Sequence, residues 1–194
     1  MVDGEPRERA DAQRNRLKVL AAAERLFACL GVARVSMDAI AAEAGVGKGT
    51  LFRRFGDRAG LARALLEEHT RALQEEMIRG PAPLGPGAAP QERLKAMAAA
   101  MMVLLEDHAE LIAAGDSGAL GARFRTGPYN FYRMHVAMLV REAAPELDWE
   151  IVTDMLLGAL AADCFVHWHY EQGLEVERIQ AAFDVLVDRL LPAR

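Results

Sequence analysis

The amino-acid sequence predicts an all-α fold, and three observations lead to that prediction. Apolar residues recur at spacings of three and four along most of the chain, and no segment alternates apolar and polar residues as a half-buried strand does. Glycines and capping side chains separate these periodic segments. The 194 residues, 52% of them hydrophobic, are enough for one large domain or two small ones with their own cores, which excludes a disordered chain.

The cysteines and the N-terminus exclude several other classes of protein. Cys29 and Cys164 lie far apart and form neither a CxxC pair nor a zinc-binding cluster, so we expect both to be small buried residues in a reducing compartment. No stretch approaches the roughly 18 consecutive apolar residues of a membrane span, and residues 1–16 are too polar for a signal peptide. We therefore expect a soluble, cytoplasmic protein without a membrane partner.

Charge is distributed unevenly along the chain. Residues 1–58 contain 11 Lys or Arg and 8 Asp or Glu, whereas residues 59–194 contain 12 and 20, so a basic N-terminal part precedes an acidic remainder. A basic module in an acidic protein favours an anionic partner that this module alone contacts. A solvated basic surface without a partner would have the same composition.

Two helices are predicted at the start of the chain. The first covers residues 9–30, with apolar residues facing one side and Gly31 as the C-terminal cap. The second covers residues 37–44, and Ser36 is its N-cap because the hydroxyl can accept a hydrogen bond from a free amide of the first turn.

Two more helices follow a glycine turn at Gly45. The third is short, over residues 48–54, and the fourth is long, over residues 57–79 with Asp57 as its cap. Residues 80–90 hold four of the eight prolines and are predicted to be a loop. We expect further helices over residues 91–107, 109–115, 128–143, 148–171 and 175–191, with an irregular, glycine-containing segment at 115–127.

Residues 36–55 have the pattern that a helix-turn-helix requires, two short helices separated by a glycine turn. Small and apolar residues form its inner face: Ile40, Ala41, Ala44, Val46 and Leu51. The second helix would present outward Gly47, Lys48, Gly49, Thr50 and Arg53. Glycines at a helix start let the backbone approach a phosphate, and the free amides there attract anions. The segment therefore favours DNA binding over an ordinary helical hairpin.

The same residues resemble a known family. The motif consists of Leu26-Phe27, Gly31, Ser36-x-x-x-Ile40-Ala41 and Ala44-Gly45-Val46-x-Lys48-Gly49-Thr50-Leu51-x-x-x-Phe55. It resembles the N-terminal DNA-binding domain of the TetR family of bacterial transcriptional regulators. The resemblance implies a three-helix helix-turn-helix domain at residues 1–58, joined by the long helix 57–79 to a helical ligand-binding and dimerisation domain at residues 80–194. It includes no recognisable ligand signature.

The resemblance also implies where DNA is contacted. Lys48 and Thr50 would face the groove, while Ser36 and Arg58 would hold phosphates on either side. The complete set of candidate DNA-binding residues is Ser36, Met37, Gly47, Lys48, Gly49, Thr50, Phe52, Arg53 and Arg58. Arg53 could read guanine in the major groove or contact another phosphate, and both roles stay open.

Position 52 departs from the family pattern. Phe52 stands where the family commonly has tyrosine, whose hydroxyl reaches a phosphate. Phenylalanine keeps the packing and lacks this hydrogen bond.

Two helices near the C-terminus predict a dimer. The predicted helix 148–171 is apolar on two sides, so it must be covered on two sides. The last helix has a seam of apolar residues at spacings of three and four that suits a partner helix. We expect the interface to contain Ile179, Phe183, Leu186 and Leu190, although a purely intramolecular core has the same pattern.

Methionines, aromatic residues and histidines in the C-terminal half are candidates for an adaptable ligand pocket. Residues at such spacing also form ordinary cores. The candidates are Met97, Met101, His108, Tyr132, His135, Met155, Asp163 and His167. Asp163 and His167 lie four residues apart, but His167 and His169 do not share a helix face, so no metal site is predicted.

These observations predict a homodimeric repressor that a small-molecule effector of unknown identity releases from a palindromic double-stranded DNA operator. We find no nucleophile–base arrangement and no phosphate loop, so we expect neither catalysis nor a cofactor. Two alternatives remain: a metal-responsive repressor, and a helical small-molecule-binding or adaptor protein without operator binding.

Overall fold

The structure, a computed structural model, describes residues 5–109, 112 and 121–191. Within these residues the chain is helical, with no strand. The helices are α1 (Glu5–Leu30), α2 (Met37–Ala44), α3 (Lys48–Phe55), α4 (Arg58–Arg79), α5 (Pro90–Asp107), α6 (Gly127–Ala143), α7 (Trp149–Ala159), α8 (Ala162–Phe165) and α9 (Val176–Leu190). The all-α prediction is confirmed. The helix expected at 109–115 and most of the segment 115–127 lie outside the described residues.

The chain divides into two compact units. The N-terminal unit contains the described residues up to Glu68, and the C-terminal unit contains His69–Ala109 and residues 121–191. The division falls inside α4, a helix that the sequence predicted to connect two domains.

The N-terminal unit is built around one apolar core. Side chains from α1, α2, α3 and the first turns of α4 fill it; the most deeply buried large ones are Leu20, Ile40, Leu51, Leu61 and Leu65. The predicted caps are in place: Ser36 Oγ accepts from Ala39 N at 3.1 Å, and Asp57 Oδ1 accepts from Gly60 N at 2.7 Å. The C-cap of α2 is Gly45, whose φ of 65° lies in the left-handed region that glycine adopts without a steric cost.

The C-terminal unit has a core of its own, formed by α5, α6, α7 and α9 with the second half of α4. Helix α5 packs on both α6 and α9, and α6 packs on α7. Fully buried residues in this core include Leu94, Val136, Leu139, Leu156 and Val187.

The predicted dimer seam on α9 needs correction. Ile179 and Phe183 are buried inside the core of the same chain, on the helix that packs against α5. The spacing of three and four correctly indicated a helical partner, but that partner is intramolecular. Leu190 is half-buried, and only Leu186 is exposed, at 40%.

The single long helix predicted over residues 148–171 is wrong. Helix α7 ends at Ala159, the backbone is extended at Ala161, and α8 continues directly into a π-helical turn, Val166–Glu171. Leu160 and Phe165 are both buried. On an uninterrupted α-helix these two side chains would point about 140° apart, so the break lets both enter the core.

The expected burial of the cysteines is also wrong. Cys29 is exposed and Cys164 is partly exposed. Phe27 of α1 is buried, and Cys29, two positions further along this helix, points to nearly the opposite side.

Among the described residues, no single helix is long and apolar enough to cross a membrane. Taken together, α7 and the segment Ala162–Glu171 reach that length and composition, but they are bent by 41° at the break.

Polar groups buried in the C-terminal unit have electrostatic consequences. The pKa of Tyr132 is raised to about 12 by burial. Burial and the positive charge of Arg93 lower the pKa of His135 to about 4. Within the described part of the chain, buried His135 Nε2 has no hydrogen-bond partner, and the lowered pKa keeps its imidazole neutral near neutral pH.

This shift makes stability depend on pH. In the unfolded chain histidine titrates near pH 6.5, so between about pH 6.5 and 4 the unfolded state binds a proton that folded His135 does not. We expect the contribution of this residue to lower the free energy of unfolding by at most about 3 kcal/mol as the pH drops from about 6.5 to 4. The free energy of unfolding of His135→Gln, measured with denaturant at several pH values, should depend less on pH than that of the wild type. Equal slopes for His135→Gln and wild type would contradict the assignment.

Candidate nucleic-acid interface

Helices α2 and α3 form a compact helix-turn-helix. The turn is closed by backbone hydrogen bonds from Gly45 N to Ala42 O at 3.2 Å and from Val46 N to Ala41 O at 3.0 Å. Leu51 and Phe55 are the buried residues of α3, and they anchor its inner face in the core of the N-terminal unit. The geometry leaves the other side of this short helix open to solvent.

The exposed side of α3 is basic and begins with free backbone amides. Gly47 is the N-cap and supplies no side-chain hydrogen bond. All other predicted α3 contact residues are exposed: Lys48, Gly49, Thr50, Phe52 and Arg53. Arg53 makes no hydrogen bond or ion pair with any described residue. A cationic face with uncapped amides can bind the phosphates and base edges of a duplex.

Lys48 is held by two neighbours. Its Nζ lies 2.7 Å from a carboxylate oxygen of Asp38, on α2, and 5.8 Å from the centroid of the Phe52 ring. Asp38 is not among the contact residues predicted from the sequence. The signal was present, because Asp38 precedes Lys48 by ten residues across a glycine turn that folds the two helices together.

The predicted contact residues outside α3 are Ser36, Arg58 and Met37, and they differ in exposure and in hydrogen bonding. Ser36 is exposed, but its Oγ already caps α2. Arg58 Nη1 donates to Ala33 O at 2.5 Å, which ties the start of α4 to the turn before α2 and leaves other guanidinium N–H groups available. Met37 is buried in the core, so its side chain is not on the exposed surface.

Other arginines near α3 have structural partners. Arg54 Nη1 donates to Ala12 O at 2.8 Å, which joins the end of α3 to α1. Arg16 forms an ion pair with Glu68 at 3.5 Å, and its side chain is only 14% exposed. These contacts distinguish Arg54 and Arg16 from Arg53, whose guanidinium is unpaired within the described residues.

The predicted pocket residues of the C-terminal unit do not converge on one site. Met97 and Tyr132 are buried, and Met101, His108 and His135 are half-buried. Met155, Asp163 and His167 are exposed, and His167 Nδ1 lies 2.6 Å from Glu171 Oε2. Across the described part of the chain, no three His, Cys, Asp or Glu side chains are grouped as metal ligands. A cavity of about 350 Å³ lies between α5, the π-helical turn and α9, with none of these predicted residues in its lining.

Comparison with known proteins identifies the family. Residues 19–65 match the family model described as bacterial regulatory proteins, tetR family. A curated HTH-type transcriptional regulator of Staphylococcus aureus strain MRSA252 is 25% identical over 167 residues, which cover 81% of this chain and 83% of that protein. Over residues 19–65, the chain matches the TetR family. A second HTH-type regulator, from S. aureus strain USA300, is 45% identical over 53 residues, or 27% of this chain and 29% of that relative.

Solved structures share the fold of this chain. A TetR-family transcriptional regulator from Pectobacterium atrosepticum superposes with a TM-score of 0.71 at 22% identity, covering 95% of this chain and 98% of that one. A regulator from Pseudomonas aeruginosa PAO1 has a TM-score of 0.65 at 21% identity, with 92% and 91% covered. The SmeT–triclosan complex has a TM-score of 0.63 at 18% identity, with 91% and 90% covered. The recognition from the sequence is confirmed, and the protein is a DNA-binding transcriptional regulator.

We expect the ion pair between Asp38 and Lys48 to lower the affinity for DNA. Asp38→Asn removes a negative charge from the interface and frees Lys48 for a phosphate. We expect tighter binding to nonspecific duplex DNA and a salt dependence steeper by about one unit in slope. The double variant Asp38→Asn/Lys48→Ala should lose this gain.

The matched control is Glu43→Gln, on the same helix. Glu43 is paired with Arg25 of α1 at 3.0 Å, so its neutralisation changes the net charge equally without releasing a cation of α3. Fluorescence anisotropy with labelled duplexes at several salt concentrations measures both variants. Equal gains for Asp38→Asn and Glu43→Gln would show that only net charge matters.

Proposed function

We propose that this TetR-family regulator is a homodimeric repressor that binds a palindromic operator with the exposed face of α3 and is released by a small molecule. The observation that carries the proposal is the open side of α3, where the helix start has no side-chain cap and Arg53 has no partner among the described residues. The domain assignment follows: residues 1–58 bind DNA, helix 57–79 connects, and residues 80–194 dimerise and bind the effector. A DNA-binding role without catalysis places the protein in the cytoplasm with the DNA.

The roles at the interface follow from the contacts. Gly47 and Gly49 let the backbone approach a phosphate, while Lys48 and Thr50 face the groove. Ser36 and Arg58 hold phosphates on either side, through the serine O–H and the guanidinium N–H groups that their structural hydrogen bonds leave free. Phe52, at 41% exposed, offers apolar contact in place of a hydroxyl.

Arg53 is proposed to read a base edge. A guanidinium can bond guanine O6 and N7 together, and loss of such a contact costs about 1–3 kcal/mol at one position. We expect Arg53→Ala to relax the preference at one position of each half-site, as measured by selection from random duplexes. Lys48→Ala should instead weaken all sequences alike, since a phosphate contact has no sequence preference. Uniform weakening by Arg53→Ala would assign Arg53 to the phosphates.

The same selection tests the proposed function as a whole. A twofold dimer should select two inverted half-sites whose centres are about 34–36 Å apart, or a multiple of that distance. Recovery of a single unpaired half-site would contradict a dimeric reader. Failure to select any sequence would support the alternative of a helical protein without operator binding.

Two exposed apolar surfaces support a dimer interface that differs from the predicted seam. On α7, Ile151 and Met155 are 52% and 68% exposed, and nothing lies near Gly158 on the same side. On α9, Val185 is 58% exposed and lies outside the lining of the 350 Å³ cavity. Exposed apolar side chains grouped on helices are typical of surfaces that a partner covers.

A charge on this surface should prevent dimerisation. In a twofold interface, Met155→Glu would bring two unpaired carboxylates out of water, at a cost of several kcal/mol. Because Met155 is exposed in the single chain, the variant should fold normally. We expect monomers by sedimentation velocity and loss of binding to palindromic duplexes. Val103→Glu, at another exposed apolar residue on α5, is the matched control and should stay dimeric. A dimeric Met155→Glu would place the interface elsewhere.

Release by a small molecule places a requirement on the affinities of that molecule for the free and the DNA-bound protein. The effector must bind the free protein better than the operator-bound protein, because equal affinity would shift nothing. The coupling is reciprocal, so operator DNA weakens effector binding by the factor by which the effector weakens DNA binding.

A further inference from the structure

The cavity of the C-terminal unit has an apolar floor and a polar mouth. Its volume is about 350 Å³, at the lower end of the range for small-molecule sites. Met102, Ile179 and Phe183 are buried at its base. Trp168 and Leu174 are half-buried, and Gln172 and Arg178 are exposed.

The wide turn after α8 builds one wall of this cavity. The π-helical turn Val166–Glu171 carries Trp168, and Leu174 N donates to Trp168 O at 3.0 Å. His169 Nδ1 lies 2.8 Å from Leu174 O, which requires the proton on Nδ1 because a carbonyl only accepts. Tyr170 donates its hydroxyl to Glu106 O at 3.3 Å, at the end of α5. These contacts hold the turn in place, and π-helical turns are frequent at functional sites.

Two polar donors at the cavity lack acceptors among the described residues, whereas Gln172 Nε2 lies 2.9 Å from His167 Nε2. Arg178 is the one charged residue among the described lining residues, which include no acid. Its guanidinium forms no ion pair or side-chain hydrogen bond with a described residue, and the same is true of the Trp168 indole N–H. A cation and a neutral donor beside an apolar surface match a molecule with an apolar body and one anionic oxygen group.

We propose that this cavity binds a small apolar carboxylate, with the hydrocarbon against Met102, Ile179 and Phe183 and the carboxylate at Arg178. That this class of molecule is the effector of the regulator rests on the proposed function. The binding site itself is tested without DNA, so the two proposals can fail separately.

The probes are decanoate and decanol, titrated calorimetrically into the full-length protein below their aggregation concentrations. They share a chain length and differ in charge. A charge-assisted hydrogen bond at Arg178 should make decanoate bind about tenfold more tightly than decanol. Arg178→Gln should lower the affinity for decanoate to that for decanol and leave decanol unchanged. Arg189→Gln, an exposed arginine on the same helix outside the cavity lining, is the matched control and should keep the preference.

A second variant tests the location. Ala182 lines the cavity and is exposed, so Ala182→Phe adds bulk there without opening the core, and it should abolish binding of both probes. Equal affinities of wild type for decanoate and decanol, no binding of either, or full binding by Ala182→Phe would each overturn the proposal. A wild-type protein that selects an operator but binds neither probe would refute this inference and leave the proposed function intact.

Discussion

The burial of Leu51 and Phe55 is the constraint on which the DNA-binding unit depends. Helix α3 has eight residues, too few to be stable alone in water, so it exists because these two side chains enter a core shared with α1, α2 and α4. They lie four residues apart and therefore on one side of the helix. Every other residue of α3 is exposed, so the same packing that makes the helix stable also presents its basic side.

Several arginines in this unit hold the fold, whereas Arg53 is unpaired among the described residues. Arg54 and Arg58 donate to backbone carbonyl oxygens of α1 and of the turn before α2, and Arg16 pairs with Glu68. These contacts fix the ends of α3 and α4 relative to their neighbours. Net positive charge alone would not distinguish these side chains from Arg53, whereas their hydrogen bonds do. The carboxylate of Asp38 forms an ion pair with Lys48 and offsets one positive charge on the exposed side of α3.

In the C-terminal unit, the break after α7 has two consequences. It directs Leu160 and Phe165 into one core, and it begins the segment whose π-helical turn places Trp168 against α9. Helix α7 itself keeps one apolar side inward, through Leu156 and Leu157, and one outward, through Ile151 and Met155. The two-sided apolar pattern in the sequence thus corresponds to one covered and one uncovered surface.

The sequence by itself determined the all-α class, the family, the caps at Ser36, Gly45 and Asp57, and the bounds of the helix-turn-helix. These features depend on neighbouring residues, because hydrogen bonds in a cap and spacing along a helix are local. Only the tertiary structure decided which helix covers Ile179 and Phe183, where the 148–171 segment bends, how Asp38 meets Lys48 and which residues line the cavity. A periodic apolar pattern indicates that one side of a helix is covered. Which element covers it depends on contacts between residues far apart in the chain. Side chains such as Arg53 and Arg54 are adjacent and chemically identical, and only the position of Ala12 on another helix separates their roles.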